Sequence, residues 1–205
     1  MTTAAFVKLW DSARENGSTT RVDRDLTQWI VEHRTAAIVD VMQAVTRLGD
    51  GWVVAAVVAV GALVLHRERR RGATILVVSS AGSAVIVALT KQLVARPRPP
   101  TADAAIAANG YAFPSGHAAQ SIACYGALAV ITFGLTHRRR TRLLAGLGAS
   151  TVALSLGVSR IVLGVHWLSD VLAGWTVATG WLSLVLLGTR VRRLNPSGGE
   201  KSVTS

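Results

Sequence analysis

Long stretches of this chain carry no charge, and the charged positions cluster between them. Four uncharged runs stand out, at residues 72–90, 118–136, 143–159 and 171–189. Each approaches the length of about 20 apolar residues that a helix needs to cross the hydrocarbon core of a bilayer. A fifth run, 51–65, is shorter; it either borrows the end of the preceding segment or lets His66 and Arg67 snorkel to the interface. Small residues recur within these runs as Gly82/Ser83, Gly146/Gly148 and Gly174/Gly180, a pattern expected where helices pack closely in lipid. Before residue 51 the pattern changes. Ile38, Val41, Met42, Val45 and Leu48 share one helical face and Asp40, Gln43 and Arg47 the other, which predicts an amphipathic helix lying at the interface. Residues 4–10 are apolar but too short to span, and the opening shows no signal-peptide pattern. The Gly/Ser-rich tail after Asn195 reads as disordered. The predicted fold is an all-α polytopic transmembrane bundle of about five spans: an N-terminal extension at 1–50, a membrane core at 51–193 and a disordered tail at 194–205.

Composition fits this pattern. The chain has 205 residues, 50% of them hydrophobic and 16% charged, with a mean hydropathy of +0.40. That is too apolar for a disordered chain or an ordinary soluble domain. Cys124 is the only cysteine and has no intrachain partner, and no Cys/His cluster has zinc spacing. The net charge of +11 is of the size seen in nucleic-acid binders, but its distribution argues against one. Residues 1–50 hold six Lys/Arg against seven Asp/Glu, and the excess sits in Arg67/Arg69/Arg70/Arg71, Arg138/Arg139/Arg140/Arg142 and Arg190/Arg192/Arg193. Short basic loops between apolar runs follow the positive-inside rule and predict a multi-pass plasma-membrane protein with these clusters in the cytoplasm. The opposite, external side then receives Lys91, Arg96, Arg98, His117, Arg160, His166 and Asp170.

Ionisable residues at membrane depth are costly, which makes those positions functional candidates. Lys91 and, seven residues on, Arg98 supply permanent positive charge, and the planar fork of an arginine can hold two phosphate oxygens; taken alone, they also fit interfacial snorkelling. Pro114-Ser115-Gly116-His117 opens a span with a natural N-cap, room for a ligand at Gly116, and the unpaired N–H groups of a helix start, where anions bind. His117 there is placed to give a proton to a leaving oxygen. Ser159-Arg160 precedes His166 and Asp170, which are spaced to share one helical face. The carboxylate can then accept a hydrogen bond from Nδ1–H, fix the tautomer and leave Nε2 free as a nucleophile.

These three groups together resemble the three-part signature of the type 2 phosphatidic acid phosphatase superfamily: Lys, six residues, Arg-Pro; Pro-Ser-Gly-His; and Ser-Arg, five residues, His, three residues, Asp. The resemblance covers roughly residues 25–189. It implies an all-helical core in which helix ends build a phosphate pocket that uses no metal and no cofactor. It also implies His166 as nucleophile, Asp170 orienting it and His117 as general acid, with Lys91, Arg98, Arg160 and the backbone at Ser115 and Gly116 holding phosphate oxygens. Membrane members usually have six spans; here none is evident before residue 50. The expected function is hydrolysis of a lipid phosphate or polyprenyl diphosphate through a phosphohistidine, on the outer face of the membrane. Phosphatidylglycerol phosphate or phosphatidic acid is the alternative substrate. A vanadate-holding haloperoxidase-like site and a non-catalytic lipid-phosphate carrier are the competing readings. Asp103 and Asp170 are the only acids between Glu68 and Glu200, so these motifs carry no carboxylate cluster suited to Mg²⁺.

Overall fold

A computed structural model describes residues 18–66 and 69–194. Arg67, the 4–10 stretch and the tail from Asn195 onward lie outside the described residues. Those described form helices, turns and loops, with no strand among them. Helix α1 (Ser18–His33) precedes α2 (Ala36–Thr46), which Thr35 caps by accepting from the Ile38 amide. A 3₁₀ turn at Arg47–Gly49 leads into α3 (Gly51–His66). Four long helices follow: α4 (Arg70–Val94), α5 (Gly116–Leu135), α6 (Arg139–Val162) and α7 (Leu168–Leu194).

Each of α4 to α7 is long and apolar enough to cross a membrane. The amphipathic segment and the short fifth run meet at 45°, and Ala36–Gly49 and Gly51–His66 are together long and apolar enough to cross a membrane as one bent span. Leu63, Val64, Leu89, Leu93, Leu147 and Leu184 face outward, as side chains do when their solvent is lipid. The interior is built from Leu76, Cys124, Ala127 and Leu182 at one level and from small residues, Val87, Ala119, Ala123 and Ala178, at another. α1 lies outside this bundle, yet its Leu26 and Ile30 pack on Ala118, Ile161 and Val171 of the core.

The small-residue pairs do not all serve close packing. A Cβ on Gly82 would lie 2.4 Å from the Trp181 ring, and one on Gly174 2.6 Å from the Ser115 carbonyl. At Gly148 and Gly180 an added Cβ meets nothing within 4 Å, so no neighbouring helix requires glycine there.

The four long helices alternate in direction, so the basic clusters meet at one end of the bundle. Arg69, Arg70, Arg71, Arg142 and Arg190 line a single cavity of about 1030 Å³ there. The three motif groups come together at the other end.

Candidate active site

At that other end, α4 finishes at Val94 and Ala95 takes the left-handed conformation (φ 50°), its N–H returning to the Lys91 carbonyl. This reversal turns the chain inward and buries Arg96, which is only 7% exposed. Lys91 and Arg98 then gather the loop between α4 and α5. The Lys91 ammonium donates to the Tyr111 and Ala112 carbonyls. Arg98 Nε donates to Gly110 O (3.0 Å) and Nη2 to Asn109 O (2.9 Å).

Ser115 caps α5 through its hydroxyl, which accepts from the Ala118 amide, and its own N–H is spent on the Asp170 carbonyl (2.9 Å). The residue is fully buried and does not line the cavity. The amides of Gly116 and His117 are the first of the helix and have no intrahelical acceptor, and both residues face the cavity. A Cβ on Gly116 would meet only Val87, at 3.9 Å, so helix packing leaves this position open. His117 Nε2 lies 3.3 Å from Asp50 Oδ1.

His166 does not share a helical face with Asp170. α6 ends at Val162, and Gly164 turns the chain with φ 69°; a Cβ there would fall 2.2 Å from the Asp103 carbonyl. His166 therefore sits in the turn before α7, while Asp170 lies in the first turn of that helix. The contact predicted from their spacing still forms: Nδ1 is 3.2 Å from Asp170 Oδ2, which also accepts from the Trp167 amide. On the other side, Arg98 Nη1 lies 3.1 Å from Nε2. An arginine can only donate, so Nε2 must carry the lone pair and Nδ1 the proton. Burial, reinforced by the positive charges of Arg98 and Arg160 and outweighing the Asp170 carboxylate, pushes the His166 pKa down to about 4. The imidazole is neutral at physiological pH, and its Nε2 electron pair lies at the cavity, where it accepts from Arg98.

Lys91, Arg98, Gly116, His117, Arg160 and His166 thus line one cavity of about 490 Å³. Asp170 stands behind His166, fully buried. Arg160 donates Nη1 to Thr46 Oγ1 (2.7 Å), and its Nε is buried with no hydrogen-bond partner. Among the described residues, no three His, Cys, Asp or Glu side chains gather as a metal site would.

Two wall residues, Thr46 and Asp50, went unassigned in the sequence. Both come from the α2–α3 corner. An acid on the threshold of an apolar run was a usable signal for Asp50, because a carboxylate is costly at that depth; Thr46 offered none. Arg34 was also missed. It ties the α1–α2 junction to the site by donating to Val162 O (2.9 Å) and Asp103 O (2.7 Å).

The sequence profile of the PAP2 superfamily matches residues 72–193, the stretch that supplies every motif residue from Lys91 to Asp170. The chain belongs to the PAP2 superfamily. Relatives extend the match beyond the profile. Phosphatidylglycerophosphatase B of Bacillus subtilis is 25% identical over 179 residues, covering 84% of this chain and 85% of that protein. An undecaprenyl-diphosphatase of Sulfolobus acidocaldarius is 34% identical over 128 residues, covering 60% of this chain and 57% of its own length. Among solved structures, a transmembrane PAP2-type phosphatidylglycerolphosphate phosphatase from Bacillus subtilis superposes with a TM-score of 0.80 at 22% identity, covering 93% of this chain and 94% of that one. LpxE of Aquifex aeolicus gives 0.58 at 21% identity, covering 81% and 95%. The fold is that of a multi-pass membrane PAP2 protein.

Proposed function

We propose that this protein is an integral-membrane lipid phosphatase working through a phosphohistidine, without a metal, on the extracytoplasmic face. The observation that carries the reading is the convergence of Lys91, Arg98 and Arg160 on one cavity with two imidazoles of opposite duty. The cations and the Gly116 and His117 amides take the non-bridging phosphate oxygens. Arg98 turns from Nε2 to the phosphate. His166 Nε2 then attacks phosphorus in line, forming the N–P bond as the P–O bond to the leaving group breaks. His117 protonates the departing oxygen. Asp170 holds the positive charge that develops on the His166 ring. Water, deprotonated by His117, next cleaves the N–P bond and releases inorganic phosphate. Fixed positive charge does most of the catalytic work, as in other phosphoryl transfers.

The substrate's apolar part has a place beside this cavity. A second cavity of about 660 Å³ shares Lys91, Gly116 and His117 with the first and continues between α3 and α4 along Val54, Val58 and Ala84. Its lining suits a hydrocarbon chain, which favours a lipid over a soluble phosphate ester. A polyprenyl diphosphate is the first choice of substrate. Phosphatidylglycerol phosphate is the second, favoured by a similarity that runs along most of the length of phosphatidylglycerophosphatase B.

Phosphate release by the detergent-solubilised protein, tested across polyprenyl diphosphate, phosphatidylglycerol phosphate and phosphatidic acid with EDTA present, checks the reading. Turnover on at least one lipid, absent in His166→Ala, is the expected result. A wild-type protein that is inert on all of them would instead be a lipid-phosphate carrier, and activity lost to EDTA and restored by Mg²⁺ would remove the metal-free mechanism.

A further inference from the structure

The nucleophile's orienting carboxylate is itself held by a buried ion network that starts in α1. Arg96 Nη1 donates to Asp170 Oδ1 (2.6 Å) and to Ser169 Oγ (2.7 Å), and its Nη2 donates to Asp23 Oδ2 (2.8 Å). The Ser169 hydroxyl donates on to Asp23 Oδ2, and the Ser169 amide donates to Asp23 Oδ1 (2.9 Å). The four side chains are 0–7% exposed. The PAP2 profile match begins at residue 72 and so leaves out Asp23, and the proposed chemistry uses neither Asp23 nor Arg96.

We propose that Asp23, Arg96 and Ser169 are positioning residues for the phosphoryl transfer, fixing Asp170 so that its second oxygen stays on His166 Nδ1. The inference rests on the phosphatase reading for its kinetic consequence and on geometry for the rest. A buried carboxylate with one oxygen free would rotate or seek other donors. Here Oδ1 is pinned by Arg96, which leaves Oδ2 to the His166 ring and the Trp167 amide. A lone arginine opposite Asp170 would also cancel the charge that the ring needs when it becomes positive. Asp23 offsets this: two carboxylates share one guanidinium, so the group keeps a net negative charge facing His166. The Arg96 guanidinium lies over the Trp167 ring at 5.6 Å, which closes the network toward the His166 turn. The α1 helix thereby becomes part of the catalytic apparatus.

The test reads His166 directly. Around its ring stand Asp170 from α7, Arg98 from the α4–α5 loop and Arg160 from α6. Lys91, His117 and Asp50 line the same cavity. In protein carrying ¹⁵N-histidine in detergent micelles, the His166 signal is identified by its loss in His166→Gln and titrated by NMR. Arg96→Gln removes a positive charge behind Asp170, and the His166 midpoint should rise. Asp23→Asn removes a negative charge, and the midpoint should fall. Arg96→Lys keeps the charge but cannot span Asp23, Ser169 and Asp170 together, so its midpoint should stay near wild type while kcat falls about tenfold or more with KM little changed. A network that only anchors α1 would lower the unfolding temperature and leave the kcat of Arg96→Lys at the wild-type value. Midpoints equal to wild type in Arg96→Gln and Asp23→Asn, or full kcat in Arg96→Lys, would overturn the proposal. Should Arg96→Gln fail to fold, the isosteric Asp23→Asn and the charge-preserving Arg96→Lys still decide it. A wild-type protein inert on every lipid would refute the phosphatase reading, and the titrations would still report on the positioning.

Discussion

Asp50 and His117 are 67 residues apart in the chain, and their side chains meet at 3.3 Å between Oδ1 and Nε2. The contact depends on Gly49, because a Cβ at that position would sit 2.5 Å from the His117 ring. The α2–α3 corner therefore does more than bend a membrane segment: it brings a carboxylate against the imidazole assigned as general acid. The Asp50 carboxylate can accept from that ring nitrogen, which fixes where the ring's proton sits and restrains its rotation.

Asp50→Asn should therefore slow turnover by roughly ten- to a hundredfold, the loss of one hydrogen bond to a charged group worth about 1.5–3 kcal/mol. The effect should be larger for substrates with poor leaving groups, because only their departure depends strongly on a proton. A series of phosphate esters of graded leaving-group pKa measures this. Equal losses across the series would show that Asp50 has no share in proton transfer.

The pH dependence follows from His166. Its pKa is pushed down to about 4 by burial, so Nε2 is free to attack at any pH above that value. Protonation takes the electron pair away. The nucleophile's contribution to the acid limb of kcat/KM should fall tenfold per pH unit below about 4, and not near the ordinary histidine value of about 6.5. The limb is read with a substrate whose own phosphate ionisation lies outside this window. A nucleophile limb near 6.5 would mean that the ring is more hydrated than the structure places it.

Close packing of α7 on the start of α5 gives a third prediction. A Cβ on Gly174 would meet the Ser115 carbonyl at 2.6 Å and the Ala119 amide at 3.1 Å, and backbone cannot swing aside as a side chain can. Gly174→Ala should cost about 1–3 kcal/mol of stability and lower kcat as the Asp170-bearing turn shifts from His117. Gly180→Ala, where a Cβ meets nothing within 4 Å, is the control and should be near neutral. Thermal unfolding in detergent compares the two.

Much of this site was legible because its chemistry sits where the bilayer makes charge expensive. Lys91, Arg98, His117, Arg160, His166 and Asp170 stand out at the ends of apolar runs, and their spacing carried the family resemblance. The rest depends on contacts that no spacing encodes. Asp23 is 146 residues from Ser169, to which it is bonded, and in sequence it is one acid among several in a polar helix. Ser115 looked like a phosphate ligand because a helix start offers amides, but its own amide is taken by the Asp170 carbonyl. The His166–Asp170 pair formed as expected while the helical face beneath it did not. Gly164 breaks α6 there, and a glycine two residues before the histidine was the available sign of that turn.

The apolar cavity between α3 and α4 makes a prediction about substrate selection. Ala84 and Ala88 line it, on the same helix as Lys91. Ala84→Trp should raise KM for a long-chain lipid phosphate severalfold and leave a short soluble phosphate ester unaffected, because only the chain needs the groove. Parallel assays of the two substrates separate the effects. Equal losses on both would place the hydrocarbon chain elsewhere.

Sidedness rests on charge. The arginine-lined cavity formed by Arg69, Arg70, Arg71, Arg142 and Arg190 lies at the end of the bundle opposite Lys91, His117 and His166. If the positive-inside rule holds, the arginines face the cytoplasm and the site faces outward. Cys124 is fully buried and should resist impermeant thiol reagents in the native protein. After Cys124→Ala, a cysteine at Ala102, exposed in the loop beside the site, should label from outside intact cells. One at Thr141, exposed near the start of α6, should label only after lysis. Hydrolysis of an outer-leaflet polyprenyl diphosphate requires this orientation, since the diphosphate cannot cross the hydrocarbon core to reach a site on the other face. The reverse labelling pattern would confine the enzyme to lipid phosphates of the cytoplasmic leaflet, and the outward-facing reading would fall with it.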